Sequence, residues 1–136
     1  MIAEIYKEYL TEKIGNDGNV ESCGFIVPEK FNFAYDIVDR IALEEPRRRA
    51  MHWTNEDGER QVFSFGDIKE QSDRAAAYFQ SLGIGKGDCV MLILKRHYQF
   101  WFALMGLHKI GAIAVPTSYM LKVEELAYRF DKIDIK

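Results

Sequence analysis

The chain has 136 residues and a mass of 15.8 kDa, and its 48% apolar and 29% charged residues exclude a disordered or fibrous protein. A domain of this length buries roughly two thirds of its unfolded surface, so a sizeable core is expected. The net charge of −3, with scattered basic residues, argues against nucleic acid as a partner.

The expected compartment is the cytoplasm. No apolar signal segment is visible at the amino terminus. The uncharged runs on either side of Lys109, residues 97–108 and 110–121, are too short to span a bilayer. Two distant cysteines, Cys23 and Cys89, are expected to be buried free thiols in a reducing environment.

The first 30 residues are predicted to form a separate helix and lead-in. Residues 2–13 have helix-forming composition with apolar side chains on one face, so a helix is expected there. The polar, glycine-rich run 15–19 breaks it, and residues 20–31 are expected to be extended. The remaining residues, 31–136, are predicted to form one incomplete subdomain.

That subdomain begins with a helix and a β-hairpin. Asn32 is a plausible cap for a helix from Phe33 to about Glu44. Two strands, Arg49–Thr54 and Gln61–Phe65, are then joined by a turn containing Gly58. The expected packing residues of the hairpin are Trp53, Val62, Phe63 and Phe65. A ligand-stacking role for Trp53 is the less favoured alternative.

A second helix is predicted to begin after Ser64 and to end at Gly83. Ser64 and Asp67 fit a capping box. The predicted apolar face consists of Ile68, Ala75, Ala76, Phe79 and Leu82, and the opposite, charged face of Lys69, Glu70, Asp73 and Arg74. The glycine-rich run 83–87 contains Lys86, but it follows a helix and opens a strand, so a turn is favoured over a phosphate-binding loop.

Residues 89–116 predict a right-handed βαβ unit with two parallel strands. The run Cys89–Leu94 is continuously apolar, as expected for a strand covered on both faces. An apolar helix from Tyr98 to Ile110 and a short strand from Ala112 to Val115 follow. Lys122–Phe130 has a last helical pattern. The predicted fold class is α/β, with one β-hairpin, a parallel βαβ unit and surrounding helices.

The carboxyl ends of these two strands define the candidate ligand edge. Lys95 and Arg96 follow the first strand, and Thr117, Ser118 and Tyr119 follow the second. Open α/β sheets bind ligands at this edge. The alternative is that the basic pair only solvates the end of a strand.

The residues themselves show no catalytic constellation. His52, His97 and His108 lie in different predicted elements without partners at ligand spacing, so no metal site is expected. No Gly-x-Ser-x-Gly nucleophile elbow is present. The acidic pairs Glu44-Glu45 and Glu124-Glu125 point in different directions on helices and are expected to be solvated.

Two segments in this order resemble motifs of AMP-forming adenylating enzymes. Phe63–Ile68, continued by the helix to Asp88, resembles their first core motif, and His108–Pro116 resembles the second. The segments Phe31–Asp36 and Arg96–Trp101 are similar to the acetyl- and medium-chain acyl-CoA synthetase branch. The resemblance extends from about residue 31 to the last residue.

The resemblance implies a parent enzyme that joins a carboxylic acid to ATP as an acyl-adenylate, releases pyrophosphate and transfers the acyl group to CoA, with Mg²⁺. It implies the N-terminal part of the large domain of such an enzyme. The family's phosphate loop, its adenine- and ribose-binding motifs and its C-terminal lysine have no counterpart here. We therefore expect no catalytic residue, no bound cofactor and no activity from this chain alone.

The resemblance places Thr117, Ser118, Tyr119 and Met120 on the CoA side of the site. In the medium-chain branch a glutamine follows the proline of the second motif, and this chain has Met120 at that position. The expected partners are the remainder of the parent enzyme and its carboxylic acid substrate. The isolated chain is expected to self-associate because its sheet edge is open.

Two other functions remain open at this point. One is a self-contained, non-catalytic α/β module that binds a nucleotide or acyl-CoA at the Lys95, Arg96 and Thr117 edge. Saturable binding of ATP or acyl-CoA by the isolated chain would favour it. The other is an adenylation domain that serves a carrier protein in place of CoA.

Overall fold

The computed structural model describes residues 2–136, which form two compact units that divide between Asn32 and Phe33. The earlier prediction of domains at 1–30 and 31–136 stays a prediction. In the described range, no helix is both long and apolar enough to cross a membrane.

The first unit is a short 3₁₀ helix followed by a β-hairpin, so the helix predicted over residues 2–13 is only partly correct. The 3₁₀ helix covers Ile2–Glu8. Strand β1 (Leu10–Ile14) then pairs antiparallel with β2 (Val20–Phe25). The turn between them is the predicted break. Pairing with a partner strand overrides the helical propensity of residues 10–13, which a local pattern cannot anticipate.

The second unit begins with the predicted helix, which is a π helix in its first part and an α-helix in its second. A π helix covers Ala34–Asp39, and α1 continues it over Arg40–Glu44. Phe33 already has helical φ and ψ values of −52° and −38°, so the helix begins at the predicted residue, and the role of Asn32 as its cap stays a prediction. The buried stripe consists of Ala34, Val38, Ile41 and Ala42.

The predicted hairpin is formed by β3 (Arg49–Thr54) and β4 (Arg60–Ser64), paired antiparallel. Gly58 in the turn has a φ of 82°, which explains the glycine there. Phe63 packs edge-to-face on Phe102 with ring centroids 5.3 Å apart. Val62 is 58% exposed, so its assignment as a packing residue was wrong, because it lies on the outer face of the strand.

Helix α2 (Phe65–Ser81) begins with the predicted capping box. The Asp67 backbone N–H donates to Ser64 Oγ at 3.1 Å, and the Ser64 backbone N–H donates to Asp67 Oδ2 at 2.8 Å. Gly83, just past the helix end, has a φ of 79°, as a C-terminal cap requires. Leu82 was predicted to pack but is exposed, because it lies at the C-cap, where the helix turns away from the core.

Replacing Ser64 by alanine is expected to lower the free energy of unfolding by about 1 kcal/mol, the usual effect of losing a helix cap. Urea denaturation would measure it. Ser81→Ala is the matched control, since that hydroxyl donates only to the Tyr78 carbonyl near the end of the same helix. Equal losses in the two variants would contradict the capping role.

The βαβ unit is confirmed. Strand β5 (Cys89–Leu92) pairs parallel with β6 (Ile113–Pro116), and α3 (Gln99–Lys109) connects them. Ile135 forms a parallel bridge to Cys89, on the strand that already pairs with β6. β5 is therefore the inner strand, with partners on both edges.

The core lies where α3 packs on α2 and on the parallel strands. Leu107 is completely buried, and Val90 and Leu92 of β5 pack in the same cluster. Only alternate residues of β5 are fully buried, so one face of the strand is covered, rather than both as predicted. Trp101 is 49% exposed, so the apolar helix α3 is not buried on all sides.

Two further expectations differ from the structure. The cysteines are free, as predicted, but Cys23 is exposed and Cys89 is half-buried. Cys89 lies at the start of β5, on the face that α3 does not fully cover. Helix α4 (Val123–Lys132) is present as predicted, without any fully buried residue.

Candidate functional site

The carboxyl ends of β5 and β6 lie side by side, as strand direction predicts. Leu92 pairs with Pro116, and the Thr117 backbone N–H donates to the Leu92 carbonyl at 3.0 Å. We call the segments that follow these ends, residues 93–98 and 117–122, the carboxyl edge.

The carboxyl edge brings one basic and one aromatic side chain together. Lys95 Nζ lies 5.5 Å from the centroid of the Tyr119 ring, within range of a cation–π contact. Each belongs to a different loop, and both were predicted to lie at this edge. The Lys95 ammonium remains exposed and can contact an anionic ligand.

The four residues predicted for the CoA side form a compact turn. Thr117 is half-buried, and its hydroxyl donates to the Val115 carbonyl at 3.1 Å. The Met120 backbone N–H donates to Ser118 Oγ at 3.2 Å. Ser118, Tyr119 and Met120 are exposed, so this turn can meet a ligand, but it contains no general base beside a nucleophile.

Trp53 connects the hairpin to the carboxyl edge, a contact that the sequence did not reveal. Its indole N–H donates to the Arg96 carbonyl at 2.6 Å, and its ring meets Tyr98 edge-on with centroids 5.2 Å apart. Forty-three residues separate the two partners, so no local pattern signals the bond. The packing interpretation of Trp53 is confirmed.

A cleft of about 460 Å³ lies between the hairpin turn and the residues after β5. One wall carries three carboxylates and the other three basic side chains. The lining residues are Trp53, Thr54, Asn55, Glu56, Asp57, Glu59, Lys95, Arg96 and His97. Among the residues that the structure describes, no group of three or more side chains is arranged to hold a metal ion.

An ion network centred on a buried lysine joins three helical segments of the second unit. Lys109 Nζ lies 2.9 Å from Asp39 Oδ1 and 2.6 Å from Asp73 Oδ1, and only 1% of its side chain is exposed. Lys69 Nζ adds a contact of 2.7 Å to Asp73 Oδ2. We call these four residues the ion network. The sequence interpretation placed Lys69 and Asp73 on a solvated face, whereas Asp73 reaches the buried ammonium.

The charges in the ion network shift the pKa of Asp73. Partial burial by itself would raise this pKa, but hydrogen bonds from Lys109 and Lys69 outweigh burial and hold it below the ordinary value of 3.8. The same bond to Asp73 raises the pKa of Lys69.

The depressed pKa of Asp73 predicts acid sensitivity. Its contribution to stability is fully present above the unfolded pKa of 3.8 and is lost as the pH falls through the lower folded value. Asp73→Asn is therefore expected to flatten the decline of unfolding free energy below about pH 4. Urea titrations at several pH values would measure it, with Asp131→Asn on α4 as a control that keeps the wild-type slope.

Comparison with known proteins assigns the family. The family model for AMP-binding enzymes matches residues 38–136, nearly three quarters of the chain. The chain belongs to the AMP-binding enzyme family. The matched part of this AMP-binding enzyme chain begins in the π helix and contains both predicted core motifs, the βαβ unit and the carboxyl edge.

Curated relatives of this AMP-binding enzyme chain are acyl-CoA synthetases. The human mitochondrial acyl-coenzyme A synthetase ACSM2A is 32% identical in an alignment of 109 positions that covers 76% of this chain and 19% of the relative. The mouse mitochondrial acyl-coenzyme A synthetase ACSM1 is 34% identical over 108 residues, covering 75% and 19%. The chain thus spans about a fifth of the length of these relatives.

Solved structures of the family share the fold. The N-terminal domain of FACL13 from Mycobacterium tuberculosis has a TM-score of 0.70 at 25% identity, with 79% of this chain and 26% of that chain covered. Brucella canis acyl-CoA synthetase has a TM-score of 0.73 at 24% identity, with 78% and 19% covered. The chain corresponds to the N-terminal part of AMP-forming acyl-CoA synthetases.

None of these matches assigns a role to the four residues Thr117, Ser118, Tyr119 and Met120. Their position on the CoA side stays a prediction. The glycine-rich run 83–87 forms the predicted turn between α2 and β5, where Gly87 has a φ of 88°.

Proposed function

We propose that this chain is the N-terminal structural portion of an AMP-forming acyl-CoA synthetase that converts a carboxylic acid, ATP and CoA to acyl-CoA, AMP and pyrophosphate. The family match over residues 38–136 carries the proposal. The half-covered face of β5 and helix α4, which has no fully buried residue, support it, because such surfaces are normally packed in a complete α/β domain.

The side chains present fit only part of the ligand set that this reaction needs. The Lys95 ammonium and the Ser118 hydroxyl suit the phosphate groups of CoA, whereas the Thr117 hydroxyl already donates its proton to the Val115 carbonyl. The glycine-rich run 83–87 does not open a helix, so it lacks the amide geometry that cradles the phosphates of ATP. Mg²⁺ and ATP are therefore assigned to other parts of the parent enzyme.

A chimera would test the proposal. The part of this chain that aligns with human ACSM2A would replace the corresponding stretch of that enzyme, and acyl-CoA formation would be measured. A folded chimera is expected to keep activity, because the transplanted part supplies scaffold and not catalytic groups. A chimera that is folded by circular dichroism but lacks adenylation would contradict the proposal.

The same chimera would test whether residues 117–120 lie on the CoA side of the site. Met120→Gln restores the side chain of the medium-chain branch and is expected to lower the KM for CoA. Isotope exchange between ATP and pyrophosphate, which needs no CoA, is the control and is expected to stay unchanged. An equal change in both reactions would contradict a CoA-side position.

The isolated chain separates this proposal from a self-contained binding module. We propose that it self-associates through the edge of β6 that has no partner strand among the described residues, and that it shows no saturable binding of ATP or acyl-CoA. Light scattering and isothermal titration at micromolar concentration would measure both. A stable monomer with saturable nucleotide binding would favour the module.

We also propose a cytoplasmic location, supported by the two free cysteines. The relatives ACSM2A and ACSM1 are named as mitochondrial proteins. Cell fractionation with an antibody to this chain would distinguish the two compartments.

A further inference from the structure

The first helix of the second unit changes from π to α hydrogen bonding along its length. The Arg40 backbone N–H donates to the carbonyl of Tyr35, five residues back, as well as to that of Ile37. One turn later the Glu45 N–H donates to the Ile41 carbonyl, four residues back. The π winding is therefore confined to Ala34–Asp39 and changes to α at Arg40.

The apolar pattern of this segment favours α winding throughout. Ala34, Val38, Ile41 and Ala42 recur at spacings of three and four residues, which form one stripe on an α-helix. Asp39 lies outside that stripe in the α register. Hydrogen bonding from residue i to i+5 instead brings Asp39 into line with Ala34, and the two are 5% and 0% exposed.

A buried cation lies where the π winding places Asp39. Lys109 Nζ is 2.9 Å from Asp39 Oδ1 and 5.5 Å from the ring centroid of Tyr35, so two residues of the π helix face the ammonium. Within the described part of the chain, Asp39 Oδ1 has no partner of hydrogen-bond geometry. The attraction is therefore one of charge, in a site that water does not reach.

We propose that the Asp39–Lys109 ion pair selects the π register of residues 34–39 over the α register that their sequence pattern favours. An isolated buried carboxylate or ammonium is strongly unfavourable, so the chain adopts the less common winding to bring the two charges together. When the pair is lost, the segment reverts to α winding.

The register sets the shape of a neighbouring groove. An apolar groove of about 440 Å³ lies between this segment, the β3–β4 hairpin and α3. Phe33 and Val38 line it on one side, and Trp101 and Met105 on the other. Because Ile41 and Ala42 anchor α1 in the core, a change of register rotates Phe33 relative to Val38 and alters that wall.

The test compares two conservative substitutions that each remove one carboxylate from Lys109. Asp39→Asn removes the charge on the π helix, and Asp73→Asn, the matched control, removes the charge on α2. Scalar couplings across hydrogen bonds, measured by NMR on the labelled 136-residue chain, report which carbonyl accepts the Arg40 N–H. We expect Tyr35 in the wild type and in Asp73→Asn, and Asp36 in Asp39→Asn.

A double variant, Asp39→Asn with Lys109→Met, leaves no unpaired charge on either residue and so keeps the test available if Asp39→Asn does not fold. It is expected to show the Asp36 coupling and a shifted Trp101 indole resonance. A Tyr35 coupling in either folded variant would overturn the proposal. Loss of that coupling in Asp73→Asn would also overturn it, because the selection would not depend on Asp39.

Discussion

Replacing Lys109 by methionine is expected to lower the free energy of unfolding by about 3 to 5 kcal/mol, the usual effect of removing one partner of a buried ion pair. The methionine fills a similar volume, so the loss reflects charge and not a cavity. The carboxylate of Asp39, whose side chain is only 8% exposed, then lies in a poorly hydrated site without its closest cation. Its other cation, Lys69, is 3.9 Å away.

The control for this prediction is Lys69→Met. Lys69 also contacts both aspartates, but 34% of its side chain is exposed, and a partly hydrated pair contributes about 1 kcal/mol or less. Chemical denaturation of the two variants would compare them directly. Similar small losses would show that the Lys109 ammonium is hydrated, contrary to its position in the structure.

The elements that the sequence predicted correctly are specified by residues within or next to the element itself. The β3–β4 hairpin has a turn with Gly58, and α2 has Ser64 and Asp67 at its start and Gly83 at its end. Each of these residues satisfies a backbone requirement within a few positions of itself. The parallel βαβ unit follows from the order of apolar runs and from the right-handed rule for crossovers.

The elements that were missed depend on distant partners. Residues 10–13 form a strand because β2 pairs with them, although their composition suits a helix. Asp39, Asp73 and Lys109 each resemble a surface charge in the sequence, and only the packing of three helical segments brings them together. Buried charges of this kind have no local signature.

The candidate site shows the same division. Strand direction alone placed Lys95 and Tyr119 at one edge, and the structure brings them within 5.5 Å. The contact of Trp53 with the Arg96 carbonyl, and the cleft that it borders, come from the position of the hairpin relative to the sheet. The sequence does not specify that position.

Substitutions at Gly106 are expected to destabilise the chain, because this residue of α3 lies directly against the backbone of α2. A β-carbon at this position would lie 2.8 Å from Ala75 Cβ, 2.9 Å from the Ala76 nitrogen and 3.1 Å from the Ala75 carbonyl carbon. Overpacking a core costs about 1 to 3 kcal/mol, and the helix preference of alanine over glycine offsets about 1 kcal/mol. Gly106→Ala is therefore expected to cost up to about 2 kcal/mol, and Gly106→Val, whose branched side chain adds two methyl groups, about 3 to 5 kcal/mol.

A second substitution separates side-chain from backbone contact. Ala75→Gly removes the nearest methyl group, but the Ala75 carbonyl carbon and the Ala76 nitrogen remain where they are. Combined with Gly106→Ala, it is expected to recover only part of the stability that Gly106→Ala loses. Thermal unfolding of the single and double variants would measure that fraction. Gly85→Ala is the control, because its β-carbon would have no neighbour closer than 4.0 Å. A rise in stability on Gly106→Ala would mean that helix preference outweighs crowding, and that the two helices can separate at little cost.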